Sequence, residues 1–185
     1  MKIIVSCHCD TVFTQPYAIL TDGIFEGAND NFASMMAIGS VIGELNAAEV
    51  QLTEDEEMYM DGAKTIAKKN NPKDTLIIVM DITEAKPGSS NLFTIENVHE
   101  LKISEIRKAL KGHKYRIVKN GTESEAWLYA EHGFSVLEID IPLKGGCHNL
   151  QSQSKVESIL AVGKALVALI KYFKDKDISA VREDE

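Results

Sequence analysis

The chain has 185 residues, 44% of them hydrophobic, and a net charge of −8 with 20 lysines and arginines. This length can bury one sizeable core, so we expect a single domain over residues 1–185 with a loosely held tail from about residue 175. The acidic balance argues against a nucleic-acid partner, and the chain has no apolar run of membrane-spanning length.

Short β-branched runs alternate along the chain with stretches of helical periodicity. The first apolar run, at residues 3–7, is followed at 17–25 by a segment in which Asp22-Gly23 marks a tight turn. Helical spacing over 32–45 comes next. We predict further strands at 50–53, 75–80, 92–95, 115–118 and 135–141, and helices at 61–69, 104–110, 123–132 and 154–173. This alternation is typical of a three-layer α/β fold in which helices cover both faces of a mostly parallel central sheet.

Residues of the types that commonly bind metals follow one another at the ends of these apolar segments: His8, Asp10, Asp30, Glu56, Glu57, Asp81 and His148. Open α/β sheets assemble their sites where strands end, so we expect these side chains to converge. Two histidines and several carboxylates from five segments suit two divalent cations that share a bridging carboxylate. The pattern therefore predicts metal-assisted hydrolysis.

The acidic members of this series also have structural interpretations. Asp30 directly precedes a helical pattern, where an aspartate commonly acts as an N-cap. Glu56 and Glu57 resemble a solvated acidic turn at the start of a helix. As a functional pair, one glutamate would ligate a metal while its neighbour handles protons. Asp81 closes the most apolar strand, where an unpaired carboxylate is costly, and this favours metal binding.

The two histidines are weak signals when each is taken alone. His8 and Asp10 flank Cys9, so on an extended backbone they project to the same side and the acid can orient the imidazole. His148 follows Gly145-Gly146-Cys147, whose glycines let the backbone approach a site closely. The alternative for His148 is an ordinary exposed loop histidine.

Three cysteines, Cys7, Cys9 and Cys147, are odd in number and do not form a disulfide framework. Met1 leads directly into the first apolar run without a charged leader, so we expect a cytoplasmic protein with reduced thiols. The cysteines flank His8 and His148 and offer a rival ligand set for a single structural zinc. Because Cys7 and Cys9 project opposite to His8, we expect all three to be small buried hydrophobes facing away from the metals.

Taken in order, these motifs resemble the co-catalytic zinc exopeptidase superfamily, which includes leucyl and tetrahedral aminopeptidases, deacylases and carboxypeptidases. His8-Cys9-Asp10 resembles its His-x-Asp, and residues 27–31, Gly-Ala-Asn-Asp-Asn, resemble its Gly-Ala-x-Asp-Asn. Glu56-Glu57, six residues before Ala63, resembles Glu-Glu-x-Gly-x-x-Gly-Ala, although Tyr59 replaces the first glycine. Residues 121–148 are similar to the C-terminal part of the tetrahedral enzymes.

The resemblance implies a role for each residue. His8 and Asp81 would bind one metal, Glu57 and His148 the other, and Asp30 would bridge them, with Glu56 as general base. Asp10, which orients the metal ligands, is the second candidate catalytic residue. Zinc is the default metal, with manganese and cobalt as alternatives. The short gaps between motifs imply an abbreviated catalytic domain without a lid or dimerisation insertion.

We therefore expect a metal-dependent aminopeptidase that cleaves short peptides through a water bridging two metals. The absence of an arginine near the motifs disfavours a carboxypeptidase, which would need a cation for the substrate carboxylate. Three alternatives stay open: a deacylase of small amides, an inactive metal-binding or assembly module, and a scaffold that needs a partner. A homo-oligomer is also left open.

Overall fold

The computed structural model describes residues 1–119, 121 and 123–183. The strands are β1 (Lys2–His8), β2 (Ala18–Thr21), β3 (Ile24–Gly27), β4 (Glu49–Thr53), β5 (Thr75–Thr83), β6 (Phe93–His99), β7 (Tyr115–Ile117), β8 (Ser135–Lys144) and β9 (Gln153–Lys155). The helices are α1 (Asn29–Val41), α2 (Asp61–Lys69), α3 (Ile103–Ala109), α4 (Glu125–Glu131), α5 (Val156–Phe173) and α6 (Ile178–Val181), and a 3-10 turn at Ile42–Glu44 follows α1.

The strands form one sheet in the order β2-β3-β9-β8-β5-β1-β4, with β6 and β7 branching from β8. The four strands β8, β5, β1 and β4 are parallel to one another. The first half of β8 pairs antiparallel with β6, and its end pairs antiparallel with β9. The four parallel strands thus bring their carboxyl ends to a common edge, which is where the candidate ligands lie.

Helices cover both faces of this sheet, which confirms the predicted three-layer α/β architecture. Alternate residues of β1 show the division: Ile3, Val5 and Cys7 pack with α1 and α5, whereas Ile4 packs with α2 and α4. All nine residues of β5 are buried, as expected of a central parallel strand with both faces covered.

The predicted elements are all present, and the differences arise at their ends. The final helix begins at Val156 because Gln153–Lys155 pairs as a short strand between β3 and β8. The predicted turn at Asp22-Gly23 joins β2 to β3 as an antiparallel hairpin. Thr122, within the segment that resembles the tetrahedral enzymes, lies outside the described residues.

The C-terminal segment differs from the expected loose tail. Ile178 and Val181 of α6 are buried in the main core. The Arg182 guanidinium donates to the carbonyl oxygens of Pro72 and Gly133 and to the Ser135 hydroxyl. The segment as far as Arg182 is therefore held by apolar packing and by hydrogen bonds to two loops and a strand.

Candidate metal centre

The expected ligands converge where the parallel strands end. His8 is the last residue of β1, Asp81 lies near the end of β5, and Asp30 occupies the opening turn of α1. The glutamate pair follows β4 and His148 follows β8. These residues line a cavity of about 480 Å³. The complete lining, ligands and neighbours together, is His8, Asp30, Glu56, Glu57, Met60, Asp81, Ile82, Thr83, Glu84, Glu123, Cys147 and His148.

Asp30 lies between the two histidines. Its Oδ1 atom is 3.0 Å from His8 Nε2, and its Oδ2 atom is 3.7 Å from His148 Nε2. The same His8 nitrogen is 3.5 Å from Asp81 Oδ1, and His148 Nε2 is 3.1 Å from Glu57 Oε2. The five residues therefore form two groups of nitrogen and oxygen atoms, one around each histidine, that share the Asp30 carboxylate.

The neighbours of Asp30 fix its position. The Asn29 side chain donates to the backbone oxygen and hydroxyl of Ser152 at 2.9 Å, and the Asn31 side chain donates to the Met80 carbonyl at 2.9 Å. The backbone angles of Asp30 are not helical. Asp30 is thus held between β5 and the β9 region with its carboxylate toward the histidines, and this is not the geometry of a helix cap.

Asp10 connects the first histidine to the glutamate pair. Its Oδ1 atom is 3.3 Å from His8 Nδ1, and its Oδ2 atom accepts a hydrogen bond of 3.3 Å from the backbone N–H of Glu57. A carboxylate behind a metal-binding imidazole fixes the ring orientation and increases its basicity. Asp10 is placed to do both and to hold the turn that carries Glu57.

The glutamate pair precedes α2 in a turn, outside the helix that the alternative interpretation required. Burial raises the pKa of Glu56 to about 8, and the carboxylates of Asp81 and Glu57 contribute in the same direction. The pKa of Glu57 is also raised, by burial and by Asp30. These carboxyl groups therefore lie in a setting where added positive charge would favour their ionised forms.

His8 supplies the clearest electrostatic signal of the site. Burial lowers the pKa of His8, but the Asp30 and Asp81 carboxylates beside its ring outweigh burial and hold the pKa well above its usual range. Burial also raises the pKa of Asp81, against the influence of His8. The surrounding carboxylates therefore favour a positive charge at this point of the sheet.

The donor atoms fit a metal centre. Within the described residues, two buried carboxylate oxygens of the cluster, Asp30 Oδ1 and Glu57 Oε1, lack a hydrogen bond. Buried polar atoms are normally satisfied, so unpaired atoms in one cluster indicate that a ligand completes it. Imidazole nitrogens and carboxylate oxygens are ligands for zinc, and the oxygen-rich set also accepts manganese or cobalt.

The loop after β8 contradicts the expectation for Cys147. Gly145 and Gly146 have φ angles of +108° and +92°, and this left-handed backbone turns the next two residues toward the cavity. Cys147 packs in part against the main core, as expected, but it is partly exposed and lines the cavity beside His148. Cys7 is buried in the core as expected, whereas Cys9 is exposed and its thiol donates to the Thr53 carbonyl.

Sequence reasoning did not identify a polar group behind the site. The Ser6 hydroxyl donates to Glu125 Oε2 at 2.8 Å and lies 2.9 Å from the Tyr129 hydroxyl, and all three residues are buried. Ser6 projects from β1 on the same face as His8, two residues away. The signal available in the sequence was a serine within an otherwise apolar strand.

A second missed group is a row of buried acids on β8 and its neighbours. Glu138 and Asp140 of β8 are 0% exposed, and Asp140 is the register partner of Asp81 on β5. Glu96 of β6 is the partner of Glu138. Two acids at alternate positions of an apolar strand were visible in the sequence. The register with β5 places them on the face that carries Asp81.

With these residues at the ends of these strands, the chain has the architecture of a metallopeptidase domain. Peptidase family M28 matches residues 1–156, and the chain belongs to this family. The comparison with curated proteins gives no match. None of the described helices is both long and apolar enough to cross a membrane.

Solved structures of aminopeptidases share the fold. Aminopeptidase PepT from Bacillus cereus is 12% identical, with a TM-score of 0.70 over 92% of this chain and 80% of its own. Aminopeptidase APDkam598 from Desulfurococcus kamchatkensis is 16% identical, with a TM-score of 0.69 over 91% of this chain and 55% of its own. The TET1 peptidase of Pyrococcus horikoshii is 18% identical, with a TM-score of 0.62 over 84% and 52%. The chain thus spans about half the length of the latter two.

Proposed function

We propose that this domain is a metal-dependent aminopeptidase that removes N-terminal residues from short peptides. The observation that carries the proposal is the position of Asp30, whose two carboxylate oxygens face the Nε2 atoms of His8 and His148 at 3.0 and 3.7 Å. A carboxylate shared between two histidine-containing groups is the arrangement expected of a bridging ligand.

In this proposal His8 and Asp81 hold one cation, Glu57 and His148 hold the other, and Asp30 belongs to both. The contacts of His8 with Asp81 and of His148 with Glu57 support this division. Zinc is the proposed metal, and manganese or cobalt are alternatives. Two bound cations would acidify a water held between them and polarise the scissile carbonyl.

Glu56 is the proposed general base. It lines the cavity beside Glu57 and Asp81 but belongs to neither histidine group, so its carboxylate is free to accept a proton from the attacking water. Glu56 would then deliver that proton to the leaving amine. Asp10 is a positioning residue, because it acts through the His8 ring and the Glu57 backbone rather than on the substrate.

The charge of the cavity favours an N-terminal substrate. Glu84 and Glu123 line it in addition to the proposed ligands, whereas the lining contains no lysine or arginine among the residues that the structure describes. Carboxylates can pair with the free α-amino group of a peptide, while a carboxypeptidase needs a cation for the substrate carboxylate. A volume of about 480 Å³ is suited to a small substrate.

A comparison of two neighbouring variants tests the division of labour. Glu56→Gln should lower kcat by about 10²–10⁴-fold while the bound zinc is retained, because the change removes a base and leaves the ligands. Glu57→Gln should instead weaken the binding of one zinc ion. Turnover of aminoacyl amides and elemental analysis measure the two effects, and equal metal loss in both variants would show that the assignment is wrong.

The substrate class is tested with paired compounds. The wild-type protein should hydrolyse aminoacyl amides with a free α-amino group faster than their N-acylated counterparts. The reverse preference would identify a deacylase, and zinc binding without turnover of either set would identify a metal-binding module. The proposal also includes a homo-oligomer. The Pyrococcus horikoshii relative is described as assembling into a tetrahedron or octahedral shell. Light scattering would measure the oligomeric state of this protein.

A further inference from the structure

Cys147 lies within the second histidine group of the metal centre. Asp30, Cys147 and His148 form a trio in which one ligand atom from each residue lies within 4.8 Å of the other two. A second trio, of His8, Asp30 and Glu57, meets the same limit. The two trios share Asp30, and Glu57 falls in the trio of His8 although its Oε2 atom is also 3.1 Å from His148 Nε2. The thiol is thus grouped with the carboxylate oxygen and the imidazole nitrogen that the proposed function assigns to the second cation.

The local backbone explains why this cysteine reaches the site and the others do not. The left-handed conformations of Gly145 and Gly146 turn the chain back after β8, so Cys147 and His148 both line the cavity. Cys7 is fully buried in the main core, against which Cys147 packs only in part, and the Cys9 thiol donates to the Thr53 carbonyl at 3.1 Å. Cys147 is therefore distinguished from the other two thiols by its surroundings.

We propose that Cys147 is a further protein ligand of the cation held by His148 and Asp30, an inference that rests on the proposed metal centre. Zinc bonds of about 2.3 Å to sulfur and about 2.0–2.2 Å to oxygen separate two tetrahedral ligands by about 3.5 Å. The three ligand atoms already lie within 4.8 Å of one another, and metal binding would draw them closer together. On binding, the thiol releases its proton to solvent and the sulfur lone pair forms the bond to the metal.

A sulfur ligand gives this position a metal preference that carboxylates and imidazole alone would not. Thiolate is a soft ligand that favours zinc over manganese or magnesium. The remaining position, around His8 and Asp81, has only nitrogen and oxygen donors. The two positions should therefore differ in selectivity, and the cation bound by His148 should be the more specific for zinc.

Cobalt(II) substitution tests the ligand directly, with no readout of activity. Cobalt bound to a thiolate has an intense near-ultraviolet charge-transfer absorption that nitrogen and oxygen ligands do not produce. The wild-type protein titrated with cobalt should develop this band, and Cys147→Ser should lack it while still binding cobalt. Cys9→Ser is the matched control and should retain the band, because the Cys9 thiol lies outside the cluster.

Zinc affinity gives a second measurement. Loss of a hydrogen-bond partner behind a metal ligand typically lowers metal affinity by roughly 10–100-fold. Loss of a direct ligand should lower the affinity for one zinc ion by at least as much. Cys147→Ser should show this change in competition with a chelator, and Cys9→Ser should not. Zinc should also protect Cys147, but not Cys9, from alkylation detected by peptide mass spectrometry.

The outcomes separate this inference from the proposed function. If wild-type protein binds metal and turns over aminoacyl amides but lacks the charge-transfer band, the Cys147 assignment is wrong and the aminopeptidase proposal stands. If the band persists in Cys147→Ser, another thiol is the ligand and the inference is equally overturned. If wild-type protein binds neither cobalt nor zinc, both proposals fail together.

Discussion

Replacing Asp140 by asparagine should alter how the stability of the metal-free protein depends on pH. Asp140 is 0% exposed, and neither of its carboxylate oxygens has a hydrogen-bond partner in the described part of the chain. Burial raises its pKa well above the usual range, and the carboxylates of Glu138, Glu96 and Asp81 add to this effect. The folded protein therefore retains a proton that the unfolded chain releases at an ordinary aspartate pKa of about 3.9.

The sign and size of the effect follow from proton linkage. Between about pH 4 and the raised pKa, the folded state binds more protons than the unfolded state, so the free energy of unfolding decreases as pH rises. One such group contributes a slope of up to about 1.4 kcal/mol for each pH unit. The contribution of Asp140 to the free energy of unfolding is fully present below the pKa of this group in the unfolded chain and is lost progressively above that pKa. Asp140→Asn removes this contribution.

Urea unfolding followed by circular dichroism, with a chelator present, measures the difference. The unfolding free energy of Asp140→Asn relative to wild type should rise with pH by up to about 1.4 kcal/mol per unit, from about pH 5 upward. The exposed Asp175→Asn is the control and should follow the wild-type curve. A difference between Asp140→Asn and wild type that stays constant over this range would refute the reasoning, since it would show that Asp140 is ionised in the folded protein.

Two further variants test the bridging ligand and a close approach of the backbone. Asp30→Ala should reduce bound zinc from two ions to one or fewer per chain, because both histidine groups use this carboxylate; elemental analysis that shows unchanged stoichiometry would contradict the bridging role. Gly27→Ala should destabilise the protein by at least about 1–3 kcal/mol, measured by thermal unfolding. Gly27 has a φ of +136°, and the added Cβ would lie 2.2 Å from the backbone oxygen of Tyr17. Gly39→Ala, in an open helical position, should be neutral or stabilising, and equal losses in the two glycine variants would rule out this explanation.

Periodicity predicted the elements that form the core because the core is periodic. The nine buried residues of β5 and the helical spacing of α5 are strong patterns, and both elements lie where they were expected. The short strand β9 was missed because Gln153–Lys155 has only three residues and no apolar alternation. Its structure depends on two neighbours, β3 and β8, that are distant in sequence, so no local signal could define it.

The ligand series could be predicted for a related reason. His8 and Asp81 end strands that are parallel neighbours in the sheet, and parallel strands place their carboxyl ends together. The alternation of side chains also placed Cys7 correctly, away from His8 and in the opposite core layer. These inferences required only that the strands be extended and parallel.

The same alternation gave the wrong result for Cys147 because the residue does not follow an extended backbone. Gly145 and Gly146 adopt positive φ angles that most other residues avoid, so the chain leaves the extended conformation and the alternation of side chains no longer applies. The sequence shows that the glycines permit this conformation, and a hydrogen bond within the loop stabilises it. The Asn149 side chain donates to the Gly145 carbonyl at 2.8 Å and closes the loop. A functional side chain on a glycine loop is therefore harder to place from sequence than one at a strand end, even when both lie in the same site.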